Sequence, residues 1–133
     1  MVSQARPIRY CYIIRHGERA DESSDPALCD LFAGATDPIL TPKGFGQARQ
    51  TGELLLREIN RIQQAEGRAF DEIRLSVSPF SRCISTSAEI GRQIGVSTIN
   101  IDYEWCEVLY SHFFNENPLP NLEVRKIGTV GLA

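Results

Sequence analysis

Tyr10-Cys11-Tyr12-Ile13-Ile14-Arg15-His16-Gly17-Glu18-Arg19 is an uncharged, aromatic and β-branched run that turns abruptly into charge. Continuous apolar runs of this kind predict a strand covered on both faces, the pattern of a parallel sheet. The switch at Arg15 predicts that the chain leaves the sheet there, so Arg15 and His16 stand at the strand's carboxyl end. Beyond it, residues 20–38 contain Asp-Pro twice and several acidic side chains, which reads as a loop with a short helical turn near residues 28–32.

Working outward, Thr41 is a good N-cap and Pro42 suits the first helical position. Phe45, Ala48, Gly52, Leu55, Ile59 and Ile62 then recur every three or four residues, one buried stripe of a long helix that Gly67 ends. A second strand is expected over residues 73–77, a helix over 81–94 closed by Gly95, and a third strand over 98–101. Strand, helix, strand, helix, strand implies an α/β fold: a parallel sheet flanked by helices in a three-layer α/β/α sandwich. Ligands bind such sheets beyond the carboxyl ends of the strands. Arg15, His16 and the segment from Ser78 to Arg82 therefore converge on one rim.

The 133 residues, 42% of them hydrophobic, suit one domain. Residues 1–8 read as a flexible N-terminus, 9–109 as the core and 110–133 as a divergent tail. A net charge of -3 argues against a nucleic-acid partner. No window approaches the ~20 apolar residues of a membrane span, and the N-terminus lacks a signal-peptide core, so a cytoplasmic protein without membrane contact is expected. Cys11, Cys29, Cys83 and Cys106 form no Cys-x-x-Cys pair, and His16 and His112 lack zinc-site spacing. Reduced thiols and no metal are the expectation.

An imidazole that attacks phosphorus needs cationic donors on the phosphoryl oxygens, a ring nitrogen pointing inward and an acid for the departing oxygen. Arg15 adjoins His16, and its planar fork suits phosphate. Arg82 offers a second fork one turn into its helix, whose N-terminus adds backbone N–H groups. Gly17, Gly44 and Gly52 need be no more than turn or packing positions. Glu18 and Arg19 read either as shapers of substrate preference or as a solvated ion pair. Trp105 reads as a core or pocket-wall aromatic.

Arg15-His16-Gly17 at the end of an early apolar strand resembles the signature of the histidine phosphatase superfamily, the phosphoglycerate mutase-like proteins. Asp37-Pro38-Ile39-Leu40-Thr41-Pro42-Lys43-Gly44, followed by Gln47-Ala48, resembles that family's D-x-x-L-T-x-x-G-x-x-Q-A helix entry. The run from Ser78 to Ser87 is similar to its S-P-x-x-R-x-x-Q-T-A segment, with serines at two positions. Arg-His-Gly-Glu-Arg followed by Asp21 is closest in flavour to the eukaryotic branch of TULA-type phosphatase domains. The run from Ile101 to Leu109 is similar to that branch's V-E-P-x-L-C-E-W-L. In this register Glu107 falls on the family's acidic residue, with Asp102, Cys106 and Leu109 also matching; a shifted register puts Glu104-Trp105 there instead. The resemblance covers residues 9–109. It implies that Arg15 and Arg82 bind phosphate, His16 becomes phosphorylated and Glu107 serves as acid and then base, with no cofactor. The substrate would be a phosphomonoester or phosphoprotein, distinguished in part by residues 21–37.

The family's second pocket histidine, from a late strand in a V-x-H-G or A-H-A context, has no counterpart, and His112 does not match it. One lost phosphate ligand slows turnover by roughly a hundred- to a thousandfold. The resemblance thus also implies alternatives: a catalytically impaired phosphate-binding or interaction module, or a truncated product without function. Asn117-Pro118-Leu119-Pro120 reads as a loop, and residues 125–133 match nothing in the family. A fold truncated at its C-terminus would leave an exposed apolar sheet edge at residues 10–14, a route to a homodimer.

Overall fold

The computed structural model describes residues 10–107, Glu116, Pro118 and the backbone of residues 128–131. The expected flexible N-terminus, His112, Leu109 and most of the divergent tail lie outside the described residues.

Two helices, Pro42–Glu66 and Ser81–Ile94, carry the fold; both end at a left-handed glycine, and the first also begins at a local cap. Helix α1 is short, Pro26–Leu31, with the Asp25 carboxylate accepting from Ala27 N. Helix α2 spans Pro42–Glu66; its N-cap, Thr41, accepts from Gly44 N. Helix α3 spans Ser81–Ile94. The left-handed C-caps are Gly67 at φ 68° and Gly95 at φ 75°. The stripe expected along α2 is the one it buries, with Ala48, Gly52, Ile59 and Ile62 inside.

Ile59 of α2 meets Ile90 and Ile94 of α3, and Leu55, Phe70, Ile73, Leu75 and Val96 close around them. The helices approach closely at Gly52. A Cβ built there would lie 2.8 Å from the Cβ and Cγ of Gln93 and 3.1 Å from Ile90 Cα. Gly52 is thus a packing position, where a bare backbone lets α3 approach.

The strands are β1, Ser76–Val77, β2, Thr98–Ile101, and β3, Gly128–Gly131, in the order β1-β2-β3. β1 and β2 are parallel, joined across α3, which makes the fold α/β as expected. β3 runs antiparallel to β2, pairing Gly131 with Thr98 and Gly128 with Ile101. The tail, which the sequence left unplaced, thus supplies a strand. The strand over 73–77 shrinks to its last two residues.

One expectation is overturned. Residues 10–14 form no strand and are not covered on both faces. Ile13 is 88% exposed, and Tyr10, Tyr12 and Ile14 are exposed too. The segment lies along α2 instead: Tyr10 Oη donates to Glu66 and Tyr12 Oη to Glu58, both at 3.3 Å, and Tyr10 meets Phe70 edge to face. Apolar pattern gives a segment its preference for extended backbone, but a strand exists only where a neighbour accepts its hydrogen bonds. None of the described strands does so here. Among the described residues no helix is long and apolar enough to cross a membrane.

The Gly52 contact sets a stability test. Gly52→Ala forces a methyl against Gln93 and the α3 backbone and is expected to cost about 1–3 kcal/mol. Gly46→Ala, where a Cβ meets nothing within 4 Å, should instead stabilise by about 0.5–1 kcal/mol through helix propensity. Thermal melting of the two variants should move in opposite directions; a shared direction would contradict the packing.

Candidate functional site

The site is built from the loop that follows residues 10–14. Residues 18–20 lie antiparallel to 39–41, with an isolated bridge between Arg19 and Leu40. Ala20 N donates to Ile39 O at 2.9 Å and Thr41 N to Glu18 O at 3.0 Å. A Cβ on Gly17 would sit 2.4 Å from Gly44 O, and one on Gly44 would sit 2.4 Å from Glu18 O. The loop thus rests directly on the first turn of α2, and only glycine at both positions permits it.

Glu18 secures that contact and also lines the cavity that opens on His16. Its carboxylate accepts from Thr41 Oγ1 at 3.0 Å and Lys43 Nζ at 2.8 Å, while its N–H donates to Gln47 Oε1 at 2.8 Å. Arg19 does not pair with Glu18; it forms a two-point ion pair with Asp21 and a looser one with Glu22. α3 contributes Thr86, whose hydroxyl accepts from Gly17 N at 3.1 Å and donates to Arg82 O at 2.8 Å.

Held on either side, His16 is half-buried. Its Nδ1 lies 2.7 Å from Gly17 O. A carbonyl can only accept, so Nδ1 carries the proton and Nε2 keeps its lone pair in the neutral ring. Burial pushes the His16 pKa below its ordinary 6.5; the Gly17 hydrogen bond opposes this, and the charges of Arg82, Arg15 and Arg19 add to the depression. Burial and the charges of three guanidiniums thus act together to favour the neutral form of one imidazole. A cavity of about 370 Å³ opens on this ring, lined by Arg15, His16, Gln47, Thr51 and Thr86 among others. Arg15 is exposed there. A larger groove of about 640 Å³ lies away from the histidine, along β1 and β2.

Arg82 is buried at the start of α3, its guanidinium 4.3 Å from the centre of the Phe80 ring. Nη2 donates to Glu107 Oε2 at 2.8 Å, and Nη1 stands 4.0 Å from Asp37 Oδ1. Asp37 is committed elsewhere: it accepts from Ser81 N at 2.9 Å and Ser81 Oγ at 2.6 Å. Phe80 has no capping side chain of its own, so Asp37 caps α3 from 44 residues upstream.

The structure therefore places Arg15 and His16 on one cavity and joins Arg82 to Glu107, with the Arg82 charge felt at His16. Glu107, not Glu104, touches Arg82; Glu104 N instead donates to Asp102, the cap of a 3₁₀ turn at Tyr103–Trp105. Trp105 is exposed rather than a core aromatic. Neither Arg82 nor Glu107 lines the cavity on His16. Residue-level reading missed the roles of Asp37, Thr86 and Gln47. Each falls on a position of the three quoted segments, which was the available signal.

The family model of the histidine phosphatase superfamily (branch 1) matches residues 11–117. The chain belongs to that superfamily. No curated protein and no solved structure gives a significant match.

Two measurements check this geometry. His16 should titrate below 6.5 by proton NMR, and Arg19→Gln should move its midpoint upward by removing one nearby cation. A folded-state value below the unfolded one adds stability above about pH 6.5, lost as the pH falls through the folded value. Thr86→Val leaves the buried Gly17 N–H without a partner and should cost about 1–3 kcal/mol in denaturant unfolding. A neutral effect would refute Thr86 as the anchor of the loop.

Proposed function

We propose that the chain is a phosphomonoesterase working through a phosphohistidine on His16. One observation carries this: a half-buried imidazole is tied through Nδ1 to a backbone carbonyl, leaving Nε2 unprotonated amid Arg15, Arg19 and Arg82. A neutral nucleophile in a cationic setting is what attack on a phosphoryl dianion needs.

In the first step the Nε2 lone pair attacks phosphorus, the P–O bond to the leaving group breaks, and Glu107 gives that oxygen its proton. In the second, water attacks phosphorus, Glu107 takes a proton from it, the P–N bond breaks and inorganic phosphate departs. Arg15 and Arg82 hold the equatorial oxygens, where charge accumulates. No cofactor enters. The substrate is a phosphoprotein or small phosphomonoester, selected in part by residues 21–37, and neither nucleic acid nor membrane is a partner. Arg-His-Gly-Glu-Arg with Asp21 supports the TULA-type branch, and the ion pair between Arg19 and Asp21 gives that pattern a physical use. Four free thiols support a reducing, cytoplasmic setting. The exposed residues 10–14 support a homodimer.

A second reading is a phosphate-binding module with impaired turnover. It is favoured by His16 being the one imidazole among the described residues.

Hydrolysis of p-nitrophenyl phosphate from pH 5 to 7.5 tests the proposal. His16→Ala should lower the rate about a thousandfold or more, and Arg82→Lys about a hundred- to a thousandfold. Acid quenching of the wild-type protein should trap phosphohistidine. Equal rates in folded wild-type and His16→Ala protein would retire catalysis; phosphate-induced thermal stabilisation without turnover would establish the second reading.

A further inference from the structure

We infer that Glu107 is the resident anion of the empty site: its carboxylate occupies an Arg82 donor that a phosphoryl group takes, and binding exchanges one for the other. This rests on Arg82 being the phosphate donor proposed above.

Arg82 carries its N–H donors in a fixed fork. Its side chain is 6% exposed, against 53% for Glu107. Nη2 holds Glu107 at 2.8 Å, whereas Nε is buried with no hydrogen-bond partner among the described residues. A desolvated donor left unpaired is unfavourable, and a carboxylate on Nη2 alone does not relieve it. A tetrahedral oxyanion accepting from Nε and Nη2 together would, since that edge is the bidentate face of an arginine.

The two carboxylates near Arg82 differ in how they are held. Asp37 is fixed by Ser81 N and Ser81 Oγ, and its 4.0 Å separation from Nη1 is too long for a hydrogen bond. Glu107 is exposed, and among the described residues Arg82 is its hydrogen-bonding partner, so leaving costs it that contact and returns it to water. Glu107 also lies within electrostatic reach of Arg19. It thus offsets Arg82, the guanidinium not already paired as Arg19 is with Asp21 and Glu22, the task a phosphoryl group would assume. Release from Arg82 removes the cation that holds Glu107 ionised, so the freed carboxylate can take up a proton from solvent or from a monoprotonated phosphoryl group and pass it to the leaving oxygen; substrate binding thereby arms the acid.

Calorimetric titration with inorganic phosphate at constant ionic strength tests the exchange on wild type, Glu107→Gln and Glu104→Gln. Glutamine keeps the size of the side chain and removes its charge. Glu107→Gln should bind phosphate about three- to tenfold tighter while its phosphatase turnover falls; Glu104→Gln should bind like wild type. Melting curves establish folding, and Glu107→Ala provides a second variant expected to shift in the same direction. Unchanged or weaker binding in folded Glu107 variants overturns the exchange but leaves the phosphatase reading standing. Equal tightening in Glu104→Gln also overturns it, because the effect would then be a general field. Absence of phosphate binding in every folded protein overturns the phosphatase reading and the exchange together.

Discussion

The backbone at Gly17 passes so close to the first turn of α2 that no side chain fits between them: a Cβ on Gly17 would lie 2.4 Å from Gly44 O. Most of the candidate site follows from that crossing. Because the loop lies flat on the helix start, Glu18 can accept from Thr41 and Lys43, and its N–H can reach Gln47. From the other side Thr86 of α3 binds Gly17 N. A loop held by two helices that are themselves packed through Ile59, Ile90 and Ile94 has little freedom. The imidazole beside it inherits a fixed tautomer, since Nδ1 faces a carbonyl that can only accept.

The second governing constraint is charge. Burying a guanidinium is costly unless it is paired, so Arg82 at the foot of α3 obliges the structure to supply an anion. Asp37 lies near but is spent on capping α3, leaving Glu107 as the close partner. A site that is cationic around a neutral histidine and neutralised by an exposed carboxylate is built to trade that carboxylate for another anion. The Phe80 ring beneath the guanidinium favours the cation by its π face and holds the fork in one plane.

These two constraints explain why membership of the histidine phosphatase superfamily, matched over residues 11–117, leaves so clear a trace in the sequence. Glycine where backbones touch, threonine where a helix starts and arginine where an anion is held are choices with few substitutes. Thr86 makes the contact that anchors the loop.

The sequence by itself determined the helices, because capping and stripe are local: Thr41, Pro42 and Gly67 bound α2, and Gly95 ends α3, within a turn of the residues that announce them. The α/β class followed from the order of elements, and the candidate residues at Arg15, His16 and Arg82 from their places at element ends. Tertiary structure alone decided what depends on a distant partner. Residues 10–14 have every preference for a strand, yet they lie exposed along α2, because pairing needs a neighbour that no local pattern supplies. Residues 128–131, unremarkable by composition, pair antiparallel with β2. Asp37 caps a helix 44 residues away, and Glu107 rather than Glu104 reaches Arg82. Hydrogen bonds and ion pairs act over a few ångströms of space, and only the folded chain says which residues share them.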